Sequence, residues 1–340
     1  MTDELTVAVA GATGAVGRAM TAILEQRNFP LTRLVPLASA RSAGTTIRFR
    51  GQEIPVQLLE DYDFATTQLA LFSAGGSVSA RFAPVAAQAG CVVVDNTSEF
   101  RLHDDVPLVV AEVNPHALAG FRQRNIVANP NCSTMQLMVA LAPIQRAAGI
   151  KRINIATYQS VSGAGQQGID ELREQAAQLA AGEPVTPRKF GDQIAYNVVP
   201  QIDSFQDNGY TREEMKLVWE TRKILEDPDI GVNPTAVRVP VFYGHAEAVH
   251  LETREPIDLD TVRGLLAEAP GVVLMDGREA GGYPTPATHA DGTDPVFVGR
   301  IRRDLTDPNG IDLWVVSDNV RKGAALNSVQ LAELLVKSHL

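Results

Sequence analysis

Three glycines between a strand and a helix limit what this chain can fold into. Leu5 to Ala10 reads as a buried strand and Ala15 to Gln26 as a helix. The turn between them is Gly11-Ala12-Thr13-Gly14-Ala15-Val16-Gly17. The same alternation continues, with strands at Leu34 to Ala38, Leu69 to Ser73 and Cys91 to Asp95, and a helix at Val78 to Ala89. Strands alternating with helices argue for an α/β fold, a doubly wound parallel sheet with helices on both faces. Such a sheet places ligands at the carboxyl ends of its strands.

The texture changes after residue 132. Ile150 to Gln159 is β-rich, followed by helices at Gln166 to Ala181 and Thr211 to Leu225. Between those helices lies a Pro- and Asn-containing stretch, Pro184 to Asn208. Further β-rich segments follow at Ala236 to Tyr243, Glu247 to Glu255, Val296 to Arg303 and Asp312 to Ser317. They predict a mostly antiparallel sheet covered by helices. A last helix, Val320 to Lys337, is expected to return to the first domain. The 340 residues leave room for two domains at ~100–200 residues each. We place one at 1–131 with 320–340 and the other at 132–319.

Composition excludes some roles. The net charge is −10 and no basic cluster stands out, so a nucleic-acid partner has little support. The two cysteines, Cys91 and Cys132, form neither a disulfide framework nor a metal set. Cys91 lies in an apolar strand and reads as core. Met1-Thr2-Asp3-Glu4 lacks the basic and apolar regions of a signal peptide. No segment has the length of a membrane span. A cytoplasmic enzyme is the expectation.

The glycine turn suits a dinucleotide. Gly11, Gly14 and their neighbours Thr13, Ala15 and Val16 would let main-chain N–H groups approach a pyrophosphate at a helix start. The expected first domain is therefore Rossmann-like. An NAD enzyme usually carries an acid at the end of its second strand. Here Ser39-Ala40-Arg41-Ser42 stands there instead, and an arginine with two hydroxyls suits a 2′-phosphate. NADP is predicted over NAD. Ser73-Ala74-Gly75-Gly76 would form a second glycine turn beside the cofactor.

Asn129-Pro130-Asn131-Cys132-Ser133-Thr134 follows the apolar run Ile126-Val127-Ala128 and precedes a helical pattern. Cys132 would then sit at a helix N-terminus, where the dipole favours its thiolate, the nucleophilic form. A small cysteine buried at a core helix is the plainer alternative. Arg238-Val239-Pro240-Val241-Phe242-Tyr243-Gly244-His245 supplies a histidine and an arginine. On an unbroken strand their odd spacing would put them on opposite faces. Pro240 and Gly244 could break the alternation, so convergence is allowed and not required. Gln159-Ser160-Val161-Ser162-Gly163-Ala164-Gly165 ends a strand in a glycine-rich turn. Glu213 and Lys216, three apart on a helix, share a face. They could equally be a solvated surface pair.

In order along the chain, these motifs resemble aspartate-β-semialdehyde dehydrogenases. The resemblance rests on Gly11 to Gly17, Ser98-Glu99-Phe100-Arg101, Asn129 to Thr134, Gln159 to Gly165, Glu213-Glu214-Met215-Lys216, Arg238 to Val241 with His245, and Asn319-Val320-Arg321-Lys322-Gly323-Ala324-Ala325. It implies Cys132 as nucleophile, His245 as acid/base and Gln159 orienting the acyl intermediate. It further implies that Arg238 holds a substrate carboxylate, that Glu213 takes the ammonium, and that Arg101, Lys216 and Asn131 bind phosphate. On the cofactor side it implies Ser39, Arg41 and Ser42 at the 2′-phosphate, Ser73, Gly75, Ser160 and Gly163 beside the dinucleotide, and Asn319 near the nicotinamide. The implied reaction is NADP-dependent reductive dephosphorylation of β-aspartyl phosphate. It feeds lysine (through diaminopimelate), threonine, methionine and isoleucine synthesis. A homodimer or homotetramer built through the second domain is implied too.

Three competitors remain. N-acetylglutamyl-phosphate reductases share the chemistry, but an acetylated amine has no use for Glu213. Glyceraldehyde-3-phosphate dehydrogenases carry a different cysteine motif. A non-catalytic NADP-binding sensor would explain the glycine turn and leave Cys132 and His245 without a task.

Overall fold

The structure, a computed structural model, describes residues 5–338; Met1 to Glu4 lie outside the described residues. The chain separates into two compact units, divided between Pro130 and Asn131 and again between Gly323 and Ala324.

The first unit opens with β1 (Thr6–Ala10), α1 (Ala15–Gln26) and β2 (Arg33–Ala38). Next come β3 (Thr46–Phe49), β4 (Gln52–Pro55), β5 (Gln57–Leu58), β6 (Leu69–Phe72), α2 (Gly76–Gln88), β7 (Val92–Asp95) and β8 (Ile126–Ala128). Its main sheet runs β5-β2-β1-β6-β7-β8 and every pairing is parallel. The chain winds outward from β1 to β5, then returns through β6 to the other side. The order therefore reverses between β1 and β6, the kind of crevice where dinucleotides bind. β1 is buried along its whole length, as a strand covered on both faces must be.

Sequence patterning did not signal the hairpin of β3 and β4. Its turn is Arg50-Gly51, both at positive φ (48° and 76°). That is the twist a two-residue hairpin turn needs, but Arg-Gly is a poorer signal for it than Asn-Gly. The C-terminal helix, Asn327–Ser338, packs in this unit against α1 and β7. Val329, Leu331 and Leu335 are fully buried there, each contributing about 2 kcal/mol of apolar burial. The segment before it, Arg321–Leu326, winds as a wider π-helix, so the expected single helix from Val320 is two pieces.

The second unit contains α3 (Cys132–Ala148), β9 (Ile150–Gln159), α4 (Gln166–Ala180) and α5 (Arg212–Ile224). It continues with β10 (Gly231–Arg238), β11 (His245–Thr253), α6 (Leu259–Glu268), β12 (Val272–Leu274), β13 (Val296–Arg303) and β14 (Gly310–Ser317). The sheet order is β10-β9-β11-β14-β13-β12. Its three central pairings are antiparallel and its two edge pairings parallel. α3 packs on one face of this sheet and is buried from Ser133 to Ala142, as a helix apolar on every side must be.

One expected strand is corrected. Ala236 to Tyr243 is a strand only as far as Arg238, where β10 ends, and His245 opens β11 instead of following a strand end. β9 lies between β10 and β11. Residues 239–244 therefore cross over the end of β9, and Gly244 completes the crossing at φ 83°. A side chain there would press on Pro286 at 3.0 Å.

Candidate active site

One end of the second sheet gathers the chemistry. β9 ends at Gln159, β10 at Arg238 and β14 at Ser317, and β11 begins at His245. Gln159 and Arg238 are register partners, as are Ser317 and His245. Parity along a single strand does not apply, because Arg238 and His245 stand on two strands that flank a third.

Cys132 is the first residue of α3 and is half-buried. Asn131 caps that helix, its side-chain oxygen accepting from the N–H groups of Ser133 (2.9 Å) and Thr134 (3.3 Å). Its amide nitrogen donates to Glu213 (2.9 Å), and its own main-chain N–H donates to Glu220 (2.7 Å). Gly323 lies against the thiol residue, where any side chain would come within 2.7 Å of Cys132 Cβ. Cys91 behaves otherwise: it is fully buried, and burial drives its thiol far above the usual range. An uncharged, inert thiol belongs in a core.

Glu213 anchors the charged cluster. One carboxylate oxygen accepts from Asn131 and Gln159 (3.3 Å), the other from Lys216 (2.8 Å). Burial pushes its carboxyl up. The Lys216 charge and hydrogen bond, the Asn131 bond and the Arg238 charge outweigh that and hold it at about 2. Lys216 reaches Asp203 as well, at 3.1 Å. Burial pulls the Lys216 ammonium down, but the two acids overcome this and raise it. The surface-pair alternative therefore fails: Glu213 is only 6% exposed.

Arg238 is also buried. It donates to the Ser160 carbonyl (2.8 Å) and lies over the Phe190 ring, and its Nε has no hydrogen-bond partner. Burial lowers its pKa, while the charges of Glu213 and Cys132 act to raise it. A buried guanidinium with a spare donor is a site for a carboxylate or phosphate. His245 is fully enclosed. Burial and the Arg238 charge bring its pKa down to about 3, against smaller opposing effects from Glu213 and a main-chain hydrogen bond. Its Nδ1 meets the N–H of Ser160 (3.0 Å) and its Nε2 is unpartnered. Gly163 leaves that space open, since a side chain there would meet Nε2 at 3.4 Å and Arg238 at 3.0 Å. Asn319 accepts from Gly244 N–H (2.9 Å) and bonds Ser160 and Ser162.

The remaining predicted residues belong to the first unit. Arg101 is buried and donates to the carbonyls of Asn129 (2.9 Å) and Asn96 (3.1 Å). Gly11 has φ 85°, and a side chain on it would strike the backbone of Ser73 and Ala74 at 3.0 Å. Gly17 is tighter, with only 2.2 Å to the Gly11 carbonyl oxygen. α1 starts after Gly14 and α2 after Gly75, and neither start has a side-chain cap or an acid in its first turn. Thr13 precedes the α1 start, and Ala15 and Val16 belong to its first turn. Ser39 and Arg41 are exposed and Ser42 half-buried, in a turn where Ser42 N–H donates to the Ser39 carbonyl (2.9 Å). Two open helix starts at the sheet's reversal point, with no acid after β2, fit a phosphate-rich dinucleotide.

Some participants were missed in the sequence. Glu220 shares a face of α5 with Glu213, seven residues apart, which helical periodicity could have revealed. Glu247, two residues beyond His245 on β11, is completely buried and neither carboxyl oxygen completes a hydrogen bond. Burial raises it well above the usual range and neighbouring Gln136 opposes this only in part. Nothing local in the sequence marks it.

Family models account for both units. Residues 6–121 match the model described as "Semialdehyde dehydrogenase, NAD binding domain", and residues 141–322 match "Semialdehyde dehydrogenase, dimerisation domain". The class is thus an oxidoreductase acting with a nicotinamide cofactor. The relatives narrow it. The chain is 57% identical over 339 residues to the aspartate-semialdehyde dehydrogenase of Shewanella sp. (strain DB6705), covering 100% of both proteins. It is 58% identical, again over 100% of both, to aspartate-semialdehyde dehydrogenase 2 of Vibrio cholerae. A crystal structure of the Vibrio cholerae enzyme II complexed with ASA superposes with a TM-score of 0.97 at 57% identity, covering 100% of each chain. The chain belongs to the aspartate-semialdehyde dehydrogenase family.

Proposed function

We propose that the protein interconverts β-aspartyl phosphate and aspartate-β-semialdehyde, using NADP and a thioester on Cys132. The observation that carries this reading is one buried cluster holding an ionised Glu213 and an Arg238 with a spare donor. Opposite charges set side by side suit the ammonium and carboxylate of an amino-acid head group. An acetylated amine would leave Glu213 without its ligand, which disfavours an N-acetylglutamyl-phosphate substrate. Glu213 has lone pairs to spare beyond its three bonds.

The chain's own residues then divide the work. The Cys132 thiolate, favoured by the start of α3, attacks the acyl carbon. The C–O bond to phosphate breaks and phosphate leaves with the electron pair. Lys216 and Arg101 are its cationic partners, with electrostatic stabilisation of a few kcal/mol per donor. Asn131 keeps one amide proton for the same anion. Gln159 orients the acyl group beside Glu213. Bound NADPH would supply hydride to the thioester carbon; the C–S bond then breaks, sulfur keeps its pair, and the aldehyde is released. His245 assists the departing sulfur through Nε2. Gly11, Thr13, Gly14, Ala15, Val16, Ser73 and Gly75 would hold the dinucleotide's phosphates. Ser39, Arg41 and Ser42 would hold the 2′-phosphate, and Ser160, Gly163 and Asn319 the nicotinamide end. A 26% identical Candida albicans enzyme, TM-score 0.75, was solved with NADP. The product would then stand upstream of lysine, threonine, methionine and isoleucine.

We assign the first unit to cofactor binding and the second to catalysis and dimerisation. The sheet face opposite α3 carries a hollow of about 680 Å³ lined by His250, Tyr283 and Trp314 among others. A second copy of this chain would cover it. Purified protein should reduce NADP with aspartate semialdehyde plus phosphate, and Cys132→Ala should abolish this. Turnover of N-acetylglutamate semialdehyde instead would move the assignment. Cofactor binding with neither turnover would make the protein a sensor.

A further inference from the structure

The stretch from Pro184 to Asn208 forms neither helix nor strand beyond two isolated bridges, yet part of it is fastened firmly. Two buried side chains of α4 do this. Glu171 accepts from the main-chain N–H groups of Arg188 (3.0 Å) and Lys189 (2.6 Å). Gln175 donates to Glu171 (2.9 Å), and its own oxygen accepts from the N–H groups of Ile194 (2.8 Å) and Ala195 (3.1 Å). Glu171 and Gln175 are 2% and 1% exposed. Polar groups buried so deeply need their bonds satisfied, and here the partners are the main chain of this segment. Further along, Val199 exchanges two main-chain bonds with Arg238, at 2.9 and 2.8 Å.

Phe190 lies between these anchors. Its ring packs on the cluster that includes Val161, Ile169 and Leu172. Gly168 leaves room for it, since a side chain there would come within 2.9 Å of the ring's Cζ. The Arg238 guanidinium stands over the ring, 5.7 Å from its centroid. A guanidinium favours an aromatic face because its charge meets the ring's negative quadrupole, and more so where water is shut out. The other surroundings of Arg238 are polar. It donates to the Ser160 carbonyl at 2.8 Å, and the Glu213 and Cys132 charges act on it. A side chain at Gly163 would meet its Nη1 at 3.0 Å. One nitrogen is thus bonded, one face is covered by Phe190, and Nε is left without a partner. A donor set already held in place loses less freedom when it grips a ligand.

We propose that Phe190 is a positioning residue for the substrate carboxylate: its ring covers one face of Arg238, holds the guanidinium plane and keeps water off it. Glu171 and Gln175 act one step further out, by holding the segment that carries the ring. The inference rests on the proposed reaction, in which Arg238 takes the carboxylate, and deepens it. The carboxylate is recognised by an arginine and an aromatic ring acting together, and the irregular segment between α4 and α5 is a wall of that site.

The first reading needs no turnover. Whole protein is made with 15N-labelled arginine, and Arg238→Lys identifies the Arg238 Nε–H signal. A ring current shields what lies over the ring's face, so Phe190→Leu should move that signal downfield. A signal that stays in place would overturn the proposal. The second reading is kinetic, by NADP reduction. Phe190→Leu should raise KM for aspartate semialdehyde about tenfold, the worth of one desolvated cation–ring contact, and leave KM for phosphate within about twofold. An equal rise in both would mean a general distortion of the site and would overturn the proposal. In an Arg238→Lys background the same change should cost less than about twofold, because lysine has no plane for the ring to hold and coupled neighbours do not add. Additive losses would overturn it as well. Phe190→Met, a flexible chain of similar length, serves where the leucine variant does not fold and should give the same readings. Wild-type protein inactive on aspartate semialdehyde would refute the proposed reaction, and the arginine signal would still decide whether Phe190 holds Arg238.

Discussion

Replacing Arg238 by lysine keeps the charge and removes the planar fork. The arginine is 6% exposed, one nitrogen is tied to the Ser160 carbonyl at 2.8 Å, and Nε has no protein partner. Those spare donors are the ones proposed to grip the substrate carboxylate in pairs. A hydrogen bond to a charged group contributes ~1.5–3 kcal/mol. Lysine preserves one such contact, so the loss is about 2 kcal/mol, or roughly thirtyfold in kcat/KM at ~1.36 kcal/mol per tenfold. KM should rise and kcat should fall, because a head group held loosely also misplaces the reacting carbon. The assay is NADP reduction with aspartate semialdehyde and phosphate. 3-Aminopropanal, which lacks the carboxylate, supplies the control: Arg238→Lys should cost little further on it. Kinetics within about threefold of wild type, or an equal loss on both aldehydes, would refute the carboxylate role.

Arg41→Ala should weaken NADP by about tenfold to a hundredfold, the worth of one charged contact, and leave NAD nearly untouched; equal losses in titrations of both cofactors would remove Arg41 from the 2′-phosphate. Asn131→Ala removes a helix cap worth ~1 kcal/mol and a bond to Glu213 worth ~1.5–3 kcal/mol. Calorimetry should show Tm lower by about 5–10 °C, and an unchanged Tm would mean that the cap is replaced by water. Burial raises the Glu247 carboxyl well above the usual range, so from an ordinary carboxyl pKa of 4.5 upward the unfolded chain ionises first and stability drains away as pH rises toward the folded-state value. Glu247→Gln has no such loss. Its advantage in unfolding free energy from urea titrations should be absent at pH 4 and grow as pH rises above 4.5, by up to ~1.4 kcal/mol per pH unit. A constant or shrinking difference would show that Glu247 is ionised in the fold.

Much of this molecule was legible because its signals are local. The run from Leu5 through Gly17 needs only strand burial, a turn that excludes side chains and a helix start, all within a few residues. β1, α1, β6, α2 and β7 lie within two residues of their expected bounds. Cys132 at the head of α3 was readable for the same reason. The expected strand at Ala236 to Tyr243 was not, because apolar β-branched residues also suit an extended crossing. There the end of β9, and not residue preference, decided where pairing stopped. The hairpin of β3 and β4 escaped because its turn residues are poor signals for the turn they make.

The order of residue types along the chain determined that a parallel sheet would form, that a thiol would meet a helix dipole, and that the residues of this chemistry were present. Tertiary structure alone decided which of them meet. Three separate strand ends bring Gln159, Arg238 and His245 together. Burial turned Glu213 and Lys216 from a plausible surface pair into a fixed charge couple, and enclosed Glu247 without a partner. Contact across a sheet and loss of solvent depend on residues far apart in the chain, so no window of sequence contains them.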